Sequence, residues 1–240
     1  EINNQLDKVK NDKSSFKFII GDYGSGKTFF STSVRELAYR KDFVVSSVVI
    51  SQEAPLHRFE ELYRKIMDGM RIVDNKKIPA FSLILEEWLL NIEEKVIEFD
   101  DLDPDVNKEK FQEEMYRRIN EELQTVGSIA ASFANAIRAF YRAKYAGDTV
   151  VSQGAIAWLK GENIRADIKK SLGVVGTVTR ENSFEFFRAL LHMIKSAGYK
   201  GLMVILDEVE TVQKLQTANM RNNAYENLRF FIDEVDKNNF

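Results

Sequence analysis

Gly21-Asp22-Tyr23-Gly24-Ser25-Gly26-Lys27-Thr28 decides the reading of the fold, because it matches G-x-x-x-x-G-K-[ST], the pattern of a backbone loop that wraps a phosphate. Gly21, Gly24 and Gly26 let the chain turn tightly, take positive φ and approach an anion with no side chain in the way. A helix beginning at the end of the loop adds the partial positive charge of its N terminus. Lys27 brings a full charge to the β- and γ-phosphates, and the Thr28 hydroxyl can take one magnesium position. With the adjoining Phe29, Gly21 to Phe29 is the expected nucleotide-binding set.

The flanks have the form that such a loop requires. Phe16 to Ile20 is an apolar run that reads as a buried strand, and Thr28 to Arg40 has helical spacing through Phe29, Val34, Leu37 and Ala38. Before them, Ile2 to Lys10 carries Ile2, Leu6 and Val9 on one helical face. After them, Phe43 to Ile50 reads as a second strand, and a helix with Phe59, Leu62, Tyr63, Ile66, Met67 and Met70 inward completes a βαβα unit.

From Pro79 the period changes. Phe81, Ile84, Leu85, Trp88, Leu89, Ile92, Val96 and Phe99 form one helical stripe, and Phe111, Met115, Ile119 and Leu123 form a second, with a break expected at Gly127 and Ser128. Ile129, Phe133, Ile137, Phe140 and Tyr141 form a third. Pro79 to Ala146 is thus expected to be a helical insertion, and its stripes to be packing faces. The acidic stretch from Asp100 to Lys108 lacks the mid-loop glycine and closing glutamate of a calcium loop and reads as solvated. Short helices are expected over Ser152 to Lys160 and Asn163 to Ser171, and a longer one, capped by Asn182 or Ser183, over Phe184 to Ala197. The domain division is 1–78 for the first half of the core, 79–147 for the insertion and 148–240 for the rest of the core.

The second half of the site is expected where a buried strand ends in an acid, and Leu202-Met203-Val204-Ile205-Leu206-Asp207-Glu208 has that form. Asp207 would hold magnesium, and Glu208 would orient and polarise the attacking water. A final helix follows, with Ala224, Leu228, Phe231, Ile232 and Val235 inward. Phosphoryl transfer needs positioning and charge neutralisation, so a lysine, backbone amides, a magnesium ion and one carboxylate suffice. The catalytic pair is Glu208 and Lys27, the metal pair Thr28 and Asp207, and the cofactors ATP and Mg2+. Hydrolysis is favoured over transfer to a small acceptor, for which no pocket is legible.

Composition narrows the remaining classes. The chain has 240 residues, 44% apolar and 30% charged, with a formal net charge of -3, which argues against wholesale coating of nucleic acid. Without cysteine there are no disulfides or thiolate sites, which suits a reducing cytoplasm. Only His57 and His192 offer imidazole, and no histidine metal site is expected. The longest strand-like apolar stretch, Phe43 to Ile50, is far short of the ~20 residues that span a bilayer. The sequence opens at Glu1 with neither an initiating Met nor a basic-then-apolar stretch, and upstream residues are expected to be missing.

With both motifs in place, the chain resembles the ATP-binding protein of the BREX phage-defence systems, a branch of the AAA-like P-loop ATPases. The resemblance is carried by Phe18 through Phe30, by Leu159-Lys160-Gly161-Glu162 and by Gly198 through Glu210, and extends over nearly the whole chain. It implies an α/β P-loop NTPase with a parallel sheet flanked by helices and a helical insertion between the two nucleotide motifs. It further implies ATP hydrolysis in a cytoplasmic multi-protein or homo-oligomeric assembly around DNA, with no membrane. Members of the wider class have a sensor strand and a C-terminal lid, which are expected to lie beyond Phe240. Arg165, Lys169, Lys170 and Arg180 form a basic stretch that could touch DNA or reach a neighbouring nucleotide, although such residues are usually a solvated face. Besides a hydrolase, the motifs suit a nucleotide-dependent switch whose ATP or ADP state controls docking with little turnover, or a DNA-binding scaffold with a vestigial loop.

Overall fold

The structure is a computed structural model that describes residues 2–11, 14–22, 24–100 and 102–236, with side chains described to residue 233. In chain order its elements are α1 (Ile2–Lys10), α2 (Lys27–Tyr39), β1 (Phe43–Val49), α3 (Phe59–Gly69), β2 (Met70–Arg71), α4 (Phe81–Asp100), α5 (Lys108–Glu122), α6 (Gln124–Ile129) and α7 (Ala131–Tyr145). Then follow α8 (Thr149–Leu159), α9 (Ala166–Leu172), α10 (Ser183–Ser196), β3 (Gly201–Asp207), a 3-10 helix (Val209–Lys214) and α11 (Ala218–Asp236). They form two compact units, Glu1–Ala80 with Tyr199–Phe240, and Phe81–Gly198.

The first unit is α/β and is organised by β1. Phe43, Val44, Val45 and Ser46 are buried in succession, the mark of a strand covered on both faces. Its neighbour β3 runs parallel, in register from Phe43 opposite Gly201 to Val49 opposite Asp207. On the other edge β2 pairs antiparallel, Val45 opposite Arg71 and Ser46 opposite Met70. The order is therefore β2-β1-β3, a mixed sheet where a parallel one was expected. Met70, expected as the last inward residue of a helix, is instead buried as the first residue of β2.

One face of the sheet is covered by α1 and the end of α2, where Leu6, Ala38, Tyr39, Phe43 and Val45 form a core joined by Ile2, Val9, Leu37, Met203 and Ile205. The opposite face takes α3 through Leu62, Tyr63, Ile66 and Met67. There the buried Ser46 hydroxyl donates to the Ile66 carbonyl at 2.8 Å, so the polar residue inside the strand is satisfied.

Two further expectations for this unit do not hold. Phe16 to Ile20 forms no strand, and Phe18, Ile19 and Ile20 are 58%, 45% and 94% exposed. An apolar run becomes a strand only when a neighbour supplies its ladder bonds, and none pairs with it among the described residues. Phe16 and Phe18 meet edge to face instead, 4.9 Å between ring centroids. Phe29, placed on the inward stripe of α2 from spacing, is 79% exposed, and the inward side of the helix is carried by Val34, Leu37 and Ala38.

The second unit is helical. Phe81, Ile84, Leu85, Trp88, Leu89, Ile92 and Val96 are the buried stripe of α4, as the spacing predicts, but Phe99 at its end is 74% exposed. The break expected at Gly127 and Ser128 falls instead at Leu123 and Ala130, and both residues lie inside α6. Helix α7 buries Ala134, Ala136, Ala139 and Ala143 beside Phe133, Ile137 and Phe140, small residues that let neighbours approach closely. Phe186 of α10 then joins the Phe133 and Trp158 rings at 5.6 and 5.4 Å, and the Trp158 indole N–H donates to Gly176 O at 3.1 Å.

Candidate functional site

The glycine loop takes its shape from its own backbone. Gly24 and Gly26 have φ of 80° and 89°, the left-handed region that side chains resist. Gly21 is constrained differently, since a Cβ there would lie 2.5 Å from Ser25 Oγ. The Ser25 N–H donates to Asp22 O at 3.1 Å and the Phe30 N–H to Gly26 O at 2.9 Å, which closes the first turn of α2. The leading N–H groups of a helix have no intrahelical acceptor, and Gly26 at the N-cap has no side chain to offer one.

Lys27 curls back over the loop. Its ammonium donates to Gly21 O at 2.7 Å and Asp22 O at 3.0 Å, so the charge is held over the loop by two of the loop's own carbonyls. One turn further, Thr28 O accepts from the Ser31 and Thr32 hydroxyls, each at 2.9 Å. Tyr23 lies outside the described residues.

The helix that the loop opens leads directly into the sheet. A short turn at Arg40 to Asp42 joins α2 to β1, with Lys41 and Asp42 N–H groups donating to Ala38 and Tyr39. Asp207 is the last residue of β3, opposite Val49, and accepts at its carbonyl from the Ile50 N–H at 2.9 Å.

Glu208 leaves the strand in a left-handed conformation, φ 58°, uncommon for a residue with a side chain. Its N–H donates to Asp207 Oδ1 at 2.9 Å, and its carbonyl accepts from the Thr211 N–H and hydroxyl at 3.0 and 2.8 Å. Both carboxylates are exposed.

A cavity of about 220 Å³ opens beside the end of β1, lined by Ser47, Val49, Ser51, Glu53, Ala54 and Lys65 among others. The Ser51 hydroxyl accepts from the N–H groups of Glu53 and Ala54, both at 3.2 Å, and fixes the turn that carries Glu53. These polar residues were not singled out from sequence. Ser51 and Glu53 follow directly after β1, and that position is the signal that could have found them, because ligands of α/β sheets collect at the carboxyl ends of strands.

A family model described as BREX system ATP-binding protein BrxC/D matches residues 1–240. The chain belongs to this family. No curated protein and no solved structure matches it.

For a BREX ATP-binding protein, the two residues singled out from sequence as metal ligands carry the donor chemistry that magnesium takes. The Thr28 hydroxyl and Asp207 carboxylate are hard oxygen ligands, and magnesium is usually held by one or two such groups with phosphate oxygens and water completing its shell. No cluster of three or more His, Cys, Asp or Glu side chains able to hold a metal occurs among the described residues. No helix among them is long and apolar enough to cross a membrane. The basic residues singled out from sequence belong to the helical unit and are largely engaged locally: Arg165 pairs with Asp167, and Lys169 donates to Asn163 Oδ1 at 2.9 Å. Arg180 contributes its carbonyl to the Ser183 hydroxyl at 3.1 Å.

Proposed function

We propose that this chain is an AAA-like P-loop domain that binds and hydrolyses ATP, and that it does so inside a phage-defence assembly. The observation that carries the reading is the Lys27 ammonium, held at 2.7 and 3.0 Å from the Gly21 and Asp22 carbonyls above a loop that contains two left-handed glycines and opens α2. Family membership supports ATP as the ligand. The place of Asp207 as the last residue of β3, with Glu208 directly after it, supports the second half of the site, because ligands of α/β sheets collect at the carboxyl ends of strands.

In this reading the loop amides and the start of α2 bind the phosphates, and Lys27 exchanges its carbonyl contacts for β- and γ-phosphate oxygens. Thr28 and Asp207 would hold the magnesium ion, which when bound neutralises charge on the phosphates. Glu208 orients a water molecule and takes its proton as the water oxygen attacks the γ-phosphorus. The bond from that phosphorus to the β–γ bridging oxygen breaks, and ADP and phosphate leave. Work of this kind is positional and electrostatic and needs no nucleophilic side chain. The cycle then drives or reports the docking of other subunits, and the basic residues of the helical unit are the place to look for DNA.

Calorimetric titration of magnesium ATP into the wild-type chain and Lys27→Ala tests the central step. Wild-type binding that weakens about 100-fold in the variant, the scale of a lost charged hydrogen bond, supports the site. Equal affinities in the two chains would place ATP elsewhere.

A further inference from the structure

The phosphate loop accounts for one end of a nucleotide and leaves the base without a contact. Phe29, the third residue of α2, is 79% exposed. It does not lie on the side of α2 that packs, which runs through Val34, Leu37 and Ala38, and it is twice as exposed as its neighbour Phe30, at 38%. Phe29 instead heads the polar face, one helical turn before the exposed Ser33 and two before the exposed Glu36. Packing within the chain gives no reason for a large ring there.

Its place on the loop gives one. The N–H of Phe29 is among those at the start of α2 that lack an intrahelical acceptor, so the residue whose backbone faces the phosphates also carries an aromatic face beside them. A nucleotide has the matching form, an anionic end joined through a sugar to a flat apolar ring. We propose that the base stacks on the Phe29 ring, and that this site selects nucleotides by stacking area in place of hydrogen bonds to base edges. The inference rests on the phosphate-loop reading and adds a selectivity to it. Every base has a π-face, so stacking tolerates base identity. Purines, with the larger face, bind more tightly than pyrimidines, and adenine and guanine differ little.

The test is calorimetric titration of magnesium ATP, GTP, CTP and inorganic tripolyphosphate into the wild-type chain, Phe29→Ala and Phe29→Trp. Alanine weakens ATP and GTP about tenfold, the scale of one lost base stack, leaves tripolyphosphate unchanged and is rescued by tryptophan. An equal loss for tripolyphosphate would make Phe29 a support of the loop, and undiminished ATP binding by the alanine variant would make it a surface for something else; either result overturns the inference while the phosphate loop stands. A wild-type chain that binds neither ATP nor tripolyphosphate removes the phosphate-loop reading and this inference together.

Discussion

The backbone N–H of Glu208 donates to the Asp207 carboxylate at 2.9 Å from a left-handed conformation, so the second acid of the pair holds the first in place by a strained turn. The strain costs about 1–2 kcal/mol for a residue with a Cβ, and glycine would relieve it at an entropic cost of about 0.5–1 kcal/mol in the unfolded chain. Glu208→Gly is therefore expected to melt about 1–3 °C higher than the wild type while losing ATP turnover. Glu208→Gln keeps the strain, melts as the wild type does, and traps bound ATP if the domain is a hydrolase; in a slow switch it changes little. Melting curves and phosphate release read both, and full turnover by the glycine variant would remove Glu208 from the chemistry.

Gly21 can be tested apart from φ strain. Its Cβ would meet Ser25 Oγ at 2.5 Å, closer than any real contact, so Gly21→Ala must push the Ser25 side chain or the loop. ATP affinity is expected to fall about tenfold, equivalent to about 1.4 kcal/mol. Adding Ser25→Gly removes the obstacle and should recover most of the loss. A double variant no better than Gly21→Ala would show that the loop has moved as a whole, and titration of the four chains as a cycle measures the coupling.

What was legible in the sequence was what depends on neighbours along the chain. Lys27 and Thr28 belong to a contiguous motif, and the α4 stripe from Phe81 to Val96 is a local period. Phe43 to Ile50 and Phe16 to Ile20 look equally strand-like, yet only the first is a strand, because β3 arrives beside it from more than 150 residues later. Pairing is non-local and leaves no mark in the run itself. The same holds for Ser46, which reads as a polar interruption until Ile66 supplies its acceptor, and for Glu208, whose positive φ no residue type would suggest. The cavity beside Val49 and Glu53 exists only after strand and turn are in register.

The seam between α3 and β1 offers a test of packing. A Cβ on Gly69 would lie 2.6 Å from Ser46 Oγ and 3.2 Å from Ser47 O, and Ser46 is fully buried. Gly69→Ala should cost about 1–3 kcal/mol by overpacking, and Ser46→Ala about 1 kcal/mol through the lost bond to Ile66. In the double variant the hydroxyl is gone, so the combined cost should be less than the sum. Urea denaturation of the four chains decides it, and strict additivity would mean that the two residues do not meet.

Stability should fall on mild acidification because of the two histidines. Burial lowers the pKa of His57, with the Arg58 charge adding to it, and burial lowers that of His192, with Lys195 adding to it. Each folded site binds fewer protons than the unfolded chain, whose histidines titrate near ~6.5. The contribution is therefore complete above that pH and is lost as pH falls through it toward the lower folded values. Carboxylates enter later: Glu114, held down to about 2 chiefly by its hydrogen bond from Arg117, loses its contribution only below the ordinary carboxylate range. Between pH 7.5 and 5.5, a window set around the ~6.5 of a free imidazole, the wild-type melting temperature should drop, and His57→Gln and His192→Gln should each flatten the slope. Slopes unchanged in both variants would assign the acid sensitivity to other groups.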